Sequence, residues 1–220
     1  MEKLDTSMVK KIFTIPYFDK MIGMHSVPKS FLMCVKRYVK LENATVGEAI
    51  SEIYHRMERE YRNEYFYKNT ILNQLLLQKH DLYHTAALTE LPIGDSKADF
   101  IMINGRGVVY EIKTDLDNLL RLGNQIYDYY KVFSYVYVVA GKKQLPHVKE
   151  FLKDQKVGIY ELTESGRLIC RKKARCNRDH LSYLVMFQVL MDSNIYAPAY
   201  DPFVTAQAIS EYVEKQNKRA

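Results

Sequence analysis

Up to residue 79 the apolar positions recur every three or four residues, the period of a helix. Met8–Phe13 reads as a short helix capped by Asp5 or Thr6 and ended by Pro16. Pro28 suits the first turn of a second helix, Lys29–Leu41, with Phe31, Cys34, Val35, Tyr38 and Val39 at helical spacing. Thr45 with Glu48 resembles a capping box ahead of Ile50, Ile53, Tyr54 and Met57. Tyr61–Gln78 continues the stripe, so residues 46–79 are two helices or one long bent one. From residue 86 the pattern shortens. Ala86–Leu91, Ala98–Ile103 and Val108–Lys113 are runs of strand length, and Asn104-Gly105 between the last two is a strong hairpin signal. Helical spacing returns over Asp115–Val132 through Leu119, Leu122, Ile126 and Tyr130. A Val/Tyr strand, Ser134–Ala140, a helix, Pro146–Asp154, and a strand, Val157–Leu162, follow, with Arg167–Arg171 as an edge. Leu181–Met191 and Phe203–Lys215 read as closing helices separated by a turn-rich stretch with Pro198 and Pro202.

A helix of this length between strands implies a crossover, so Tyr135–Ala140 should pair in parallel with the strand before it. The expected fold is α/β: a mixed sheet with helices on both faces, and extra helices at both ends. The expected organisation is a helical extension over residues 1–60, a core over 61–170, and a basic loop with C-terminal helices over 171–220.

Candidate chemistry lies in the second hairpin. Side chains alternate along a strand, so Glu111 and Lys113 share a face with Val109, while Val108, Tyr110 and Ile112 take the other. Asp99 lies in the partner strand, with Phe100 and Met102 directed away from it. Two carboxylates form a hard-oxygen site suited to Mg²⁺ or Mn²⁺. A neighbouring lysine can hold a water whose pKa such a metal lowers. An isolated Glu-x-Lys is more often a solvated strand face; here the charges interrupt an apolar strand and an acid stands across the turn. Arg121, Gln125 and Tyr129, four apart, fall on one stripe beside the core face of the next helix.

At these residues the chain resembles the PD-(D/E)XK nuclease superfamily, over roughly residues 61–162. Asp99 matches its first acidic metal ligand, and Glu111 and Lys113 match the (D/E)-x-K pair. Gln125 and Tyr129 look like the Gln-x-x-x-Tyr signature of the branch that includes the bacterial recombination nucleases. Ala98 stands where the superfamily's name has Pro. The resemblance implies a restriction-endonuclease-like αβββαβ core and Mg²⁺- or Mn²⁺-dependent hydrolysis of nucleic acid, with DNA the expected polymer. It implies metal ligation by Asp99, Glu111 and the Ile112 carbonyl, with Glu64 or Glu90 as an additional acid. Lys113 would orient the attacking water, Gln125 would position Lys113 or the phosphate, and Tyr129 would support the helix. It points to bacterial and phage proteins. A binding module on the same fold, without catalysis, is the rival expectation.

Composition alters this picture little. The 220 residues are 47% hydrophobic and 26% charged, ordinary for a globular chain long enough for one good core. The net charge of +6 fits a polyanionic partner without requiring one. The densest basic run holds Arg171, Lys172, Lys173, Arg175 and Arg178; with Arg121 it supplies the candidate phosphate contacts, as a loop flanking the site. A solvated connector is the plainer reading of that run. Eighteen Tyr and no Trp imply half-exposed rings, most of them filling core and strands. Three Cys argue against a disulfide framework. With no signal segment and no apolar run of membrane-spanning length, a cytoplasmic protein is expected. The outer helices could clamp substrate or make a homodimer surface. His80 and His84, and the Cys170, Cys176 and His180 group, have only loose metal-ligand spacing and are read as chance.

Overall fold

The computed structural model describes residues 4–23, 27–80 and 84–192. Eight α-helices and one six-stranded sheet lie within these residues: α1 Thr6–Ile12, α2 Ile15–Gly23, α3 Lys29–Tyr38, α4 Val46–Glu60, α5 Glu64–Ile71, β1 Ala86–Ile93, β2 Ser96–Ile103, β3 Gly107–Lys113, α6 Leu122–Tyr130, β4 Tyr135–Ala140, α7 Leu145–Phe151, β5 Gly158–Leu162, β6 Leu168–Lys172 and α8 Tyr183–Asp192. A π-helical turn, Leu72–Leu77, prolongs α5. The expected helix Phe203–Lys215 lies outside the described residues.

The strands lie in sequence order across the sheet. β1, β2 and β3 form an antiparallel meander; β4 and β5 add in parallel through the α6 and α7 crossovers, and β6 closes the edge antiparallel. The succession α5–β1–β2–β3–α6–β4 is the expected αβββαβ order. One face of the sheet, carrying Phe100, Met102, Tyr110, Ile112 and Val139, packs against α1, α3, α4 and α5. The other face, with Ile101, Val109, Val136 and Val138, packs against α6, α7 and α8. Helices thus cover both faces, and the described part of residues 1–60 shares a core with the strands.

Local chemistry explains most boundaries. Asp5 caps α1 by accepting from the backbone N–H groups of Ser7 and Met8, and the Thr45/Glu48 capping box is formed at α4. Asn63 caps α5 through Phe66 N–H. Gly105, at φ 61°, makes the β2–β3 turn, and Gly94, at φ 59°, makes the two-residue turn between Ile93 and Ser96.

Two expectations are corrected. Pro16 does not end a helical region: α2 begins at Ile15, and the ring occupies its first turn, where no N–H is needed. The helix expected from Asp115 begins only at Leu122. Asp117 accepts from the backbone N–H and hydroxyl of Thr114, and Asn118 accepts from Leu120 N–H. These side chains offer the backbone a turn in place of helix.

Candidate active site

β1 and β2 pair on either side of one irregular position. Thr89 opposes Phe100 and Leu91 opposes Ala98, leaving Glu90 across from Asp99. Glu90 adopts φ 60°, a left-handed conformation that costs a side chain with a Cβ about 1–2 kcal/mol. The strand phase slips there. Leu88 and Leu91, three apart, both turn to the α6 side, as do Ala98 and Ile101. Pairing between β2 and β3 stops at Phe100–Tyr110, so the sheet opens beyond that pair. Asp99 occupies the opening. Its Oδ2 accepts from Ile112 N–H at 2.7 Å, in place of a ladder bond. A strand residue points its N–H and C=O towards the same neighbour, so the Ile112 carbonyl also faces the Asp99 side.

Two groups of side chains meet at this seam. The first is acidic. Carboxylate oxygens of Glu64, Glu90 and Asp99 all lie within 4.8 Å of one another. Glu64 comes from the first turn of α5, and Lys68 lies one turn later on the same face. The Lys68 ammonium contacts Glu64 at 2.5 Å and also pairs with Glu90, whose other oxygen pairs with Lys97. Both candidates for the additional acid therefore reach Asp99, and the Glu64–Lys68 pair is more than an exposed helix pair.

The second group is buried against α6. Glu111 is 2% exposed and Lys113 7%. Glu111 Oε1 accepts from Lys113 Nζ at 2.8 Å and from Gln125 Nε2 at 2.6 Å, and Lys113 Nζ also donates to Gln125 Oε1 at 2.9 Å. The Tyr129 hydroxyl donates to Glu111 Oε2 at 2.6 Å and lies 2.9 Å from the Lys97 carbonyl. Gln125 and Tyr129, one turn apart, thus grip the same carboxylate. Tyr129 does more than brace its helix, and burial together with the Glu111 charge pushes its hydroxyl pKa upward.

Electrostatics joins the groups. Burial is the main cause that raises the Asp99 carboxyl to about 7; the Glu111 charge adds to it, the Ile112 N–H opposes it, and Glu64 and Lys68 act more weakly in opposite directions. Asp99 and Glu111 therefore sense each other across the seam. All donors of the acidic group are oxygens, the set a hard divalent cation takes. Glu111 stands beside that group with both oxygens already hydrogen-bonded.

The expected phosphate contacts fare differently. Arg121 is exposed and precedes α6. The basic run does not flank the site. Arg175 N–H bonds to Lys156 O and Asn177 N–H to Ser134 O, so the run crosses the ends where β4 and β5 begin, while Lys113 lies at the end where β3 finishes. Arg171 pairs with Glu161 at 2.6 Å, and Lys172 turns inward to backbone carbonyls at the end of α7, including Gln155 O at 2.8 Å. Lys173 and Arg175 are exposed. Lys68 and Lys97 also belong to the site, and the four-residue spacing of Glu64 and Lys68 is the one signal of them in the sequence. A cleft of about 490 Å³ opens beyond the C-terminal ends of β3 and β4, lined by Arg62, Tyr67, Asp115, Gly141 and Lys143. It adjoins the Lys113 end of β3 without including Glu64, Glu90, Asp99 or Glu111.

Tyr129→Phe keeps the buried ring and removes the donor to Glu111 Oε2. The expected loss is about 1–3 kcal/mol of stability, from leaving a buried acceptor short of a partner, read by urea unfolding with unchanged far-ultraviolet circular dichroism.

Residues 57–218 match the family described as bacteriophage P4 protein cII. The match covers well over half of the chain, which belongs to that family. No curated protein and no solved structure matches. Among the described residues no helix is long and apolar enough to cross a membrane.

Proposed function

We propose that the protein is a metal-dependent phosphodiester hydrolase acting on nucleic acid, with DNA as the expected substrate, on a restriction-endonuclease-like fold. The observation that carries the reading is the seam between β2 and β3. Asp99, Glu90 and Glu64 gather there, and Asp99 senses the charge of Glu111, which with Gln125 holds Lys113 in place. It is also where the sequence resembles the PD-(D/E)XK nucleases.

Asp99 and Glu90 would hold Mg²⁺ or Mn²⁺, with Glu64 and the Ile112 carbonyl assisting and Glu111 nearby. Bound there, the cation supplies a water of lowered pKa and offsets charge on a phosphoryl oxygen. Glu111 and Gln125 fix the Lys113 ammonium in one orientation, so that it can direct a water at the phosphorus. Tyr129 anchors Glu111 and hence that ammonium. Gln125, held between Glu111 and Lys113, sets the distance of the lysine from α6. The test is cleavage of linear, circular and single-stranded DNA and of RNA with Mg²⁺ or Mn²⁺. Asp99→Ala and Lys113→Ala should each lower the rate roughly 10²-fold or more, the cost of misplacing the cation or the attacking water. Equal rates in wild type and variants remove the assignment.

A second reading has its own observation. Both Glu111 oxygens are hydrogen-bonded internally, and Lys68 and Lys97 together already balance Glu64 and Glu90. Charges compensated in this way suit a binding module on the same fold that has no turnover. Tight binding of nucleic acid in EDTA, with no cleavage when metal is restored, would favour it.

A further inference from the structure

The basic run that misses the catalytic seam lies beside a row of aromatic rings on the sheet face that also carries Phe100 and Met102. Tyr110, Tyr137 and Tyr160 stand on neighbouring strands, with ring centroids 5.6 Å apart for Tyr110–Tyr137 and 5.1 Å for Tyr137–Tyr160. Tyr110 is buried, whereas Tyr135, Tyr137 and Tyr160 are half-buried. Gly158 lets the Tyr137 ring lie across β5: a Cβ there would collide with that ring and with Ala174 N. The contact fixes residues 173–175 beside the tyrosines, with Lys173 and Arg175 exposed. On the other side, the exposed Arg106 sits 5.8 Å above the Tyr135 ring and donates to its hydroxyl at 3.3 Å. Arg106 immediately precedes β3, and residues 173–175 return from β6 past Gly158 at the start of β5.

Partly exposed aromatic rings between cationic side chains match the two needs of an unpaired polynucleotide, stacking for its bases and neutralisation for its phosphates. We propose that this face, built from Tyr135, Tyr137 and Tyr160 with Arg106 on one side and Lys173 and Arg175 on the other, binds single-stranded nucleic acid. A duplex hides the faces of its bases and could use only the cations. The surface is independent of the hydrolase reading, because it needs neither metal nor the residues of the seam.

The test is fluorescence anisotropy of the full-length protein with labelled oligo-dT, oligo-rU and a duplex of equal length, in EDTA so that no cleavage intervenes. Single strands should bind at least tenfold more tightly than the duplex. Lys173→Ala/Arg175→Ala, both at exposed positions, should weaken binding about tenfold. If each side chain meets one phosphate, the double variant also lowers the slope of log affinity against log salt by about 1.4. Tyr135→Ala should cost about tenfold and Tyr135→Phe little, as expected for loss of one stacked base. The assay runs without metal and reads binding rather than turnover, so failure of the hydrolase assay and failure of this one are separable. Absence of single-strand binding, equal affinity for duplex, or a Lys173→Ala/Arg175→Ala variant that keeps wild-type affinity and salt slope would each overturn the proposal.

Discussion

Lys113→Met should lower the stability of the protein by about 3–5 kcal/mol, the usual cost of removing one partner from a buried ion pair. Glu111 is 2% exposed, and the lysine is its only cationic contact among the described residues. Without the ammonium, the carboxylate keeps Gln125 and Tyr129 as donors but carries an uncompensated charge away from water. The double variant Glu111→Gln/Lys113→Met removes both charges and should recover most of the loss. Urea unfolding of the wild type, both single variants and the double variant gives the coupling between the two sites. A coupling below about 0.5 kcal/mol would mean that the pair is not held as described. Cleavage separates structure from chemistry. The double variant should regain stability and stay inactive if Lys113 directs the attacking water; a stable, active double variant would assign the pair to folding alone.

Asp99→Asn should stabilise the metal-free protein at pH 8 and leave it unchanged near pH 4. The carboxyl of Asp99 is raised from an ordinary 3.8 to about 7, chiefly by burial and secondarily by Glu111. A group that holds its proton more tightly folded than unfolded favours the fold while protonated. That contribution is complete below about pH 4 and is lost as pH rises through 7. Above pH 7 the wild type holds an anion beside Glu111 and Glu64, and asparagine removes the charge while still accepting from Ile112 N–H. The expected gain at pH 8 is on the order of 4 kcal/mol, or about 8–16 °C in Tm for a chain of this size. Added Mg²⁺ should raise the Tm of the wild type and leave that of Asp99→Asn little changed. A variant less stable than wild type at pH 8 would show that Asp99 serves the fold as an anion.

Much of this architecture was legible along the chain because it is local. The capping box at Thr45 and Glu48 and the glycine at Gly105 act within a few residues. The alternation of Val108, Tyr110 and Ile112 against Val109, Glu111 and Lys113 assigned each side chain to its observed face. Where apolar spacing competed with short polar side chains, it lost: Asp117 and Asn118 turned residues 114–121 into loop despite Leu119 and Leu122. The basic run was legible as charge but not as position, because its place depends on backbone bonds to Lys156 and Ser134, distant in sequence.

By itself the sequence determined the αβββαβ order and the faces of Glu111, Lys113, Gln125 and Tyr129, since strand and helix periods fix which side chains share a side. Only the tertiary structure decided the partners. The left-handed Glu90 and the parting of β2 from β3 after Phe100–Tyr110 gathered Glu64, Glu90 and Asp99 around Lys68, while Glu111 was drawn inward to Lys113, Gln125 and Tyr129. The physical reason is that periodicity sets direction along one element, whereas which charges meet, and which of them keep water, depends on how separate elements pack.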